Sequence, residues 1–311
     1  MVTNVSDITV MLIMEPLALT TFSIYPAFVF GTLTYVIIVF CNLMVLTAIG
    51  LNRRLHNPMF ILLFNMTVND MMGTTAFFPQ MLLSILTQNR SISYTACYIQ
   101  ALLTHMYGGG SLLILTAMAY DRYVAICRPL RYNSIMTPTH LIRLIIMIWV
   151  LNIFLMMMLL GLLLRFEICR TTIVDMYCNN PSLLKLICED TRLNNYYGLA
   201  LIAFYQGLSA FVVGFTYLQI LLTCVMNKQS DAKSKAIQTC GTHLVVFLFL
   251  ECNSCFALTA HRFESVSPFL RRAFGVSVMV FPPLVNPLIY GLKTKEIRQS
   301  FRLLFKRNAF S

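Results

Sequence analysis

Long apolar runs recur along the chain, each ended by a short polar or proline-bearing segment. Seven of them reach the roughly twenty residues that a bilayer-spanning helix needs. They fall at 24–50, 58–86, 94–127, 140–164, 196–226, 236–261 and 270–292. The pattern predicts an all-α membrane protein whose single domain is a seven-transmembrane helix bundle over 24–292, preceded by an N-terminal segment at 1–23. After the last run, 293–311 alternates basic and apolar residues at helical spacing. Ile297, Phe301, Leu304 and Phe305 share one stripe, with Lys and Arg elsewhere, which predicts a short amphipathic helix lying on anionic lipid.

Composition narrows the class. Of 311 residues, 58% are hydrophobic and only 11% charged, against about a quarter charged in a typical soluble domain. The net charge of +11 therefore points to a lipid surface and not to nucleic acid. No Lys or Arg occurs in the first fifty-two positions, so a cleaved signal peptide with a basic start is not expected.

Basic residues set the orientation. Numbering the loops from an outside N-terminus, one side carries Arg53, Arg54, Arg128, Arg131, Lys228, Lys233 and Lys235 together with the basic tail. On the other, Arg and Lys are diluted by Asp7, Glu15, Glu167, Asp175, Glu189, Asp190 and Glu264. The expectation is a multi-pass plasma-membrane protein, its N-terminus extracellular and its C-terminus cytoplasmic. The sequon at Asn4 agrees as a glycosylation site on the outer side. Of ten cysteines, Cys97, Cys169, Cys178 and Cys188 fall on that side, where disulfides persist. Four cysteines allow three connectivities, and spacing does not choose among them.

Polar residues inside the runs are the candidates for chemistry, because ionisable groups in a bilayer face the bundle interior or water. Asp70 lies near the middle of span two, Ser111 in span three, Asn42 in span one and Asn286 in span seven. They read either as a polar cluster that tightens packing or as oxygen ligands for a small cation. Asp121 and Arg122, near one end of span three, read either as a snorkelling interfacial pair or as a switch, with the guanidinium held in one conformation and released in another. Asn286 and Tyr290 share a helix face beside Pro287, a residue that removes a backbone hydrogen bond.

The stretches "MAYDRYVAICRPLRY" (118–132), "LHNPMF" (55–60), "KAIQTCGTHL" (235–244) and "PPLVNPLIYGLK" (282–293), in this order, resemble signature segments of the odorant receptors, a branch of the rhodopsin-like G-protein-coupled receptors. The resemblance runs from about Pro26 to the tail. It implies that Asp121, Arg122 and Tyr123 form a cytoplasmic lock that opens to a G protein. Asn286, Pro287 and Tyr290 would be a span-seven hinge, with Tyr217 as its partner. It also implies the pairs Cys97–Cys178 and Cys169–Cys188, and it favours a sodium site at Asp70, Ser111 and Asn286, the only cofactor expected. Two departures stand out. Ser111 occupies a position that is commonly acidic in odorant receptors, and the "FYG" of many reads Phe249-Leu250-Glu251 here.

The family's ligand pocket lies among the outer halves of spans three, five, six and seven. On span three, Ala101, His105, Gly108 and Leu112 recur on one face, and Gly108-Gly109-Gly110 leaves room for a ligand or for close packing. Leu250, Asn253, Ser254 and Ala257 form a stripe on span six, with Leu201 and Tyr205 from span five and Val276 and Met279 from span seven. His105 reads as a ligand anchor or as a buried interhelical histidine. His261 and Arg262 read as an anion lure or as loop-end charges. Glu251 reads as facing span five or as facing the pocket, where it favours an amine if ionised and is only a hydrogen-bond donor if burial protonates it.

Inverted or repeated halves, which a transporter would show, are missing, and no metalloprotease, hydrolase or phosphate-loop pattern marks an enzyme. The expectation is a receptor for a small-molecule odorant, coupled to a stimulatory heterotrimeric G protein that raises cyclic AMP. A non-olfactory chemoreceptor of the same family is the alternative.

Overall fold

The computed structural model describes residues 10–15, 20–226, 230–260, 266–289 and 297–299, with backbone alone for 230–240 and 242. Among these residues seven long helices follow one another: α1 (Thr21–Leu51), α2 (Pro58–Thr87), α3 (Tyr94–Cys127), α4 (Pro138–Gly161), α5 (Arg192–Met226), α6 (Ser230–Thr259) and α7 (Pro268–Pro287). Short helical turns interrupt the connections at Arg53–Leu55, Pro129–Arg131, Tyr132–Ile135 and Asn180–Leu184.

Several helix starts are written locally. In Asn57-Pro58, Thr137-Pro138 and Ser267-Pro268 the first residue caps with its side-chain oxygen, accepting from the N–H of Phe60, His140 and Leu270. The proline sits at the first helical position, where no N–H partner is needed.

Among the described residues four helices, α1, α3, α4 and α5, are long and apolar enough by themselves to cross a membrane. The other three carry polar residues whose placement explains the lower hydropathy. Thr67, Asn69, Asp70 and Thr74 of α2, His243, Asn253 and Ser254 of α6 and Asn286 of α7 are all buried. Large apolar side chains such as Phe30, Phe40, Phe154, Phe211 and Val225 stand exposed instead. Polar inside and apolar outside is the arrangement of a bundle whose solvent is lipid. Its main core joins α1 to α6 around Leu62, Met66, Leu115, Met118, Tyr217 and Phe247.

Helix α7 holds three prolines, Pro282, Pro283 and Pro287. A helical N–H bonds the carbonyl four residues back, and proline has none to give. The carbonyls of Val278, Met279 and Pro283 thereby lose their helical donors, and two of the three find others. Neighbouring side chains supply substitutes: Tyr107 Oη donates to Val278 O at 2.9 Å, and Asn42 Nδ2 donates to Pro283 O at 2.8 Å. The broken helix is thus tied to α3 at Val278 and to α1 at Pro283.

The segment expected as a plain N-terminal extension contains β1 (Met11–Met14), which pairs antiparallel with β2 (Ser91–Ser93) and in parallel with β3 (Thr172–Ile173). Leu12 and Met14 alternate inward and pack beside Cys97, Cys178 and Ile173, closing one end of the bundle. The disulfides Cys97–Cys178 and Cys169–Cys188 form at that end. Of the amphipathic tail, only the helical turn 297–299 is described, with Ile297 fully buried. Phe301, Leu304 and Phe305 lie outside the described residues.

Candidate functional site

A cavity lies among α3, α4, α5, α6 and α7 toward the disulfide end. About 110 Å³ of it is open to the centre of a water molecule, where one water needs roughly 10–15 Å³. From α3 it takes Thr104, His105, Gly108, Gly109 and Leu112, and from α5 Gly198, Leu201, Ile202, Tyr205 and Gln206. Ser254, Ala257 and Leu258 of α6 and Val278 and Met279 of α7 face them, while Met156 and Leu159 of α4 close the side.

The roof is the loop segment Tyr177, Asn179, Asn180 and Pro181. It is pinned in several ways. Cys178 is bonded to Cys97, and its backbone N–H donates to Gln100 Oε1 at 2.8 Å. Asp175 accepts from Asn179 Nδ2 at 3.0 Å and from Ser182 Oγ, and it pairs with Arg271 of α7 at 3.3 Å. Arg272 pairs with Glu15, just after β1. Burial and the nearby Asp175 carboxylate push the Tyr177 phenol well up, so it stays protonated.

The glycine run serves both uses that its sequence allowed. Gly108 has open space where a Cβ would be, and it borders the cavity. Side chains of Asn152 and Tyr205 press against Gly109, and Asn69 presses against Gly110, so a Cβ at either would collide. Asn152 in turn donates to Met106 O at 2.8 Å and accepts from Tyr205 Oη at 3.0 Å.

Among the positions expected at the ligand site, His105, Gly108, Leu112, Leu201, Tyr205, Ser254, Ala257 and Met279 line the cavity. Ala101, Leu250, Glu251, Asn253 and Val276 do not, and each has a reason. Ala101 is buried among Cys97, Cys178 and Leu160, under the pinned loop. Leu250 packs in the main core. Asn253 accepts from Ser277 Oγ at 2.9 Å, joining α6 to α7. Val276 packs against the cluster around Ile38, Phe77 and Phe78.

Glu251 turns to α5, where Ser209 Oγ donates to it at 3.0 Å. With its amide NH2 toward α6, Gln206 also donates to Glu251, and its carbonyl accepts from Ser254 Oγ at 2.8 Å. His105 Nδ1 bonds Ala101 O at 2.8 Å, which makes Nε2 the acceptor nitrogen of the neutral ring. The loop residues, the α4 wall and Gln206 escaped sequence reasoning. The pairing of Cys178 with Cys97 was the signal that would have placed 177–181 over α3.

At the opposite end of α3, Asp121 is fully buried and holds two partners. Arg122 Nη2 donates to Oδ2 at 2.9 Å, and Tyr132 Oη donates to Oδ1 at 2.7 Å. Burial and the hydrogen bond to Asp121 raise the Tyr132 phenol, keeping it a donor. Tyr123 packs near Phe215 and under the Arg128 guanidinium. Tyr217 meets His243, its Oη 2.6 Å from Nδ1 and the two rings stacked. Tyr290, its expected partner, lies outside the described residues, as do Asn4, His261 and Arg262.

Midway between the two ends, Asn286 Nδ2 donates to Asp70 Oδ2 at 2.9 Å. Asp70 Oδ1 and Asn286 Oδ1 are buried without a hydrogen-bond partner. Ser111 is bound to Asn69 and to the Tyr107 carbonyl, each at 2.9 Å. Among the described residues no group of three His, Cys, Asp or Glu side chains gathers as a metal site.

Comparison with known proteins adds the context of this arrangement. A family model described as olfactory receptor matches residues 31–307. Olfactory receptor 52J3 of Homo sapiens is 32% identical over 275 residues, 88% of each chain. Olfactory receptor 51E1, also of Homo sapiens, is 34% identical over 275 residues, covering 87% of this chain and 86% of its own. Olfactory receptor 7G2 of Homo sapiens is 35% identical over 279 residues, covering 88% of this chain and 84% of its own.

Proposed function

The chain belongs to the olfactory receptor family, and from that premise we propose that it binds a small-molecule odorant in the α3–α7 cavity and activates a stimulatory heterotrimeric G protein. The observation that carries this reading is the course of α3. One unbroken helix of 34 residues forms the cavity wall at Thr104–Leu112 and holds Asp121 and Arg122 at its other end. Leu112 and Asp121 are about 14 Å apart along its axis, from the 1.5 Å rise per residue. A ligand that favours one packing of α3 against α5 and α6 also biases the Asp121–Arg122–Tyr132 lock.

The lock end faces the cytoplasm in this proposal, and the disulfide end faces outward. Leu130, fully exposed beside the lock, is an apolar side chain suited to a protein groove. When Arg122 leaves Asp121, it and Tyr217 line the opening that the G protein enters. The receptor acts as an exchange catalyst, without covalent chemistry of its own, and the basic tail lies on anionic lipid.

Asp70 and Asn286, each with a buried oxygen lacking a hydrogen-bond partner, fit a sodium ion, which takes oxygen ligands. Ser111 Oγ, which accepts from Asn69 and donates to the Tyr107 carbonyl, keeps one lone pair with which it would join them. When bound, the ion supplies positive charge beside the buried carboxylate.

The test is cyclic AMP in cells co-expressing this chain with an olfactory-type stimulatory G protein, exposed to pooled amines, alcohols, acids and neutral odorants. A rise with one pool supports the proposal. Silence across every pool, with the receptor shown at the surface, overturns it.

A further inference from the structure

We infer that the cavity selects ligands with a hydrogen-bond-donating head, protonated amines above all, through an acceptor corner made by Gln206 and Ser254 and backed by Glu251. The inference rests on the ligand-site reading above and names the chemistry of that site.

The argument begins with charge. Among the described residues, the cavity wall carries no Asp, Glu, Lys or Arg. Apart from the phenols, its one titratable side chain is His105. Among these described residues a carboxylate ligand meets no Lys or Arg. The acidic group closest behind the wall, among the described residues, is Glu251, one hydrogen bond away through Gln206.

The second step is valence. In the orientation that satisfies both ends of the amide, the Gln206 NH2 donates to the Glu251 carboxylate, which Ser209 also contacts at 3.0 Å. With Nε2 so engaged, Gln206 turns its carbonyl to Ser254, whose hydroxyl donates to it at 2.8 Å. What remains for a ligand at this corner is lone pairs, on the Gln206 carbonyl and the Ser254 oxygen. An arriving acceptor would face acceptors, whereas an arriving donor completes the corner. Glu251 acts through Gln206: its charge orients the amide and adds a negative field that favours an ammonium over a hydroxyl. The rest of the wall, with Leu112, Leu201, Ile202, Ala257 and Met279, suits an apolar body.

The experiment measures direct binding to purified full-length receptor in lipid nanodiscs. The probes are a straight-chain primary amine, alcohol and carboxylate of equal length at neutral pH, where the amine is cationic and the acid anionic. The expected order is amine, then alcohol, with the carboxylate not bound. In Glu251→Gln the amine should weaken about tenfold or more while the alcohol stays within about threefold. Retained alcohol binding also shows that the variant is folded. Equal losses for amine and alcohol, a carboxylate that binds as well as the amine in the parent protein, or no binding of any probe would overturn the inference. Because binding is read without a G protein, a receptor that binds the amine but raises no cyclic AMP would refute the coupling proposal and leave this one standing.

Discussion

The side-chain amide of Asn42 donates to the carbonyl of Pro283 at 2.8 Å, the carbonyl that Pro287 would serve if it had an N–H. Tyr107 does the same for Val278, four residues before Pro282. A helix that its own prolines have opened is thus held by two neighbours.

Removing either donor leaves a buried carbonyl unsatisfied, at a cost of about 1–3 kcal/mol. Asn42→Leu and Tyr107→Phe should each lower the thermal unfolding temperature of the purified receptor. Unchanged unfolding in both would show that water or relaxation replaces them.

Tyr132 shares Asp121 with Arg122. Tyr132→Phe removes one of the two bonds holding the buried carboxylate in its resting arrangement. Basal cyclic AMP should rise at matched surface level. A fall, or no change, would mean that the bond does not stabilise the resting state.

Two glycines of the same run should behave in opposite ways. Gly108→Ala has open space and borders the cavity, so the receptor should reach the surface normally with an altered concentration dependence for ligand. Gly110→Ala drives a methyl into Asn69 and should reduce surface expression sharply. Flow cytometry on intact cells distinguishes them, and equal expression of both would contradict the packing described.

Asp175 and Arg271 are nearly buried together, with Asn179 and Ser182 on the same carboxylate. Breaking a buried pair from one side costs about 3–5 kcal/mol. Asp175→Asn should therefore destabilise the roof and lower receptor stability more than Glu15→Gln, whose partner pair is more exposed. Comparable unfolding temperatures for the two variants would count against the clamp.

Much of this was legible in the sequence, for physical reasons. Apolar runs longer than a bilayer crossing had only one use, although the Thr-Pro and Ser-Pro pairs that start α4 and α7 just ahead of the expected runs at 140 and 270 went unread. On α3 the helical period put His105, Gly108 and Leu112 on one wall. Where the account depended on contacts between distant segments, the sequence was silent. Nothing about Met11–Met14 announces that it will pair with 91–93 and 172–173, because a strand's partner is set by topology. Glu251 illustrates the same limit: its register on α6 left two faces open, and Ser209 and Gln206 on another helix decided between them. His243 sat inside a recognised motif, yet its partner Tyr217 became visible only in the packed bundle.

The most direct test of the central claim is ligand-stimulated cyclic AMP in the parent receptor and in Arg122→Ala, matched for surface expression and for ligand binding. The account predicts a rise in the parent and none in the variant, because the guanidinium released from Asp121 is what the G protein meets. An equal rise in both would contradict it.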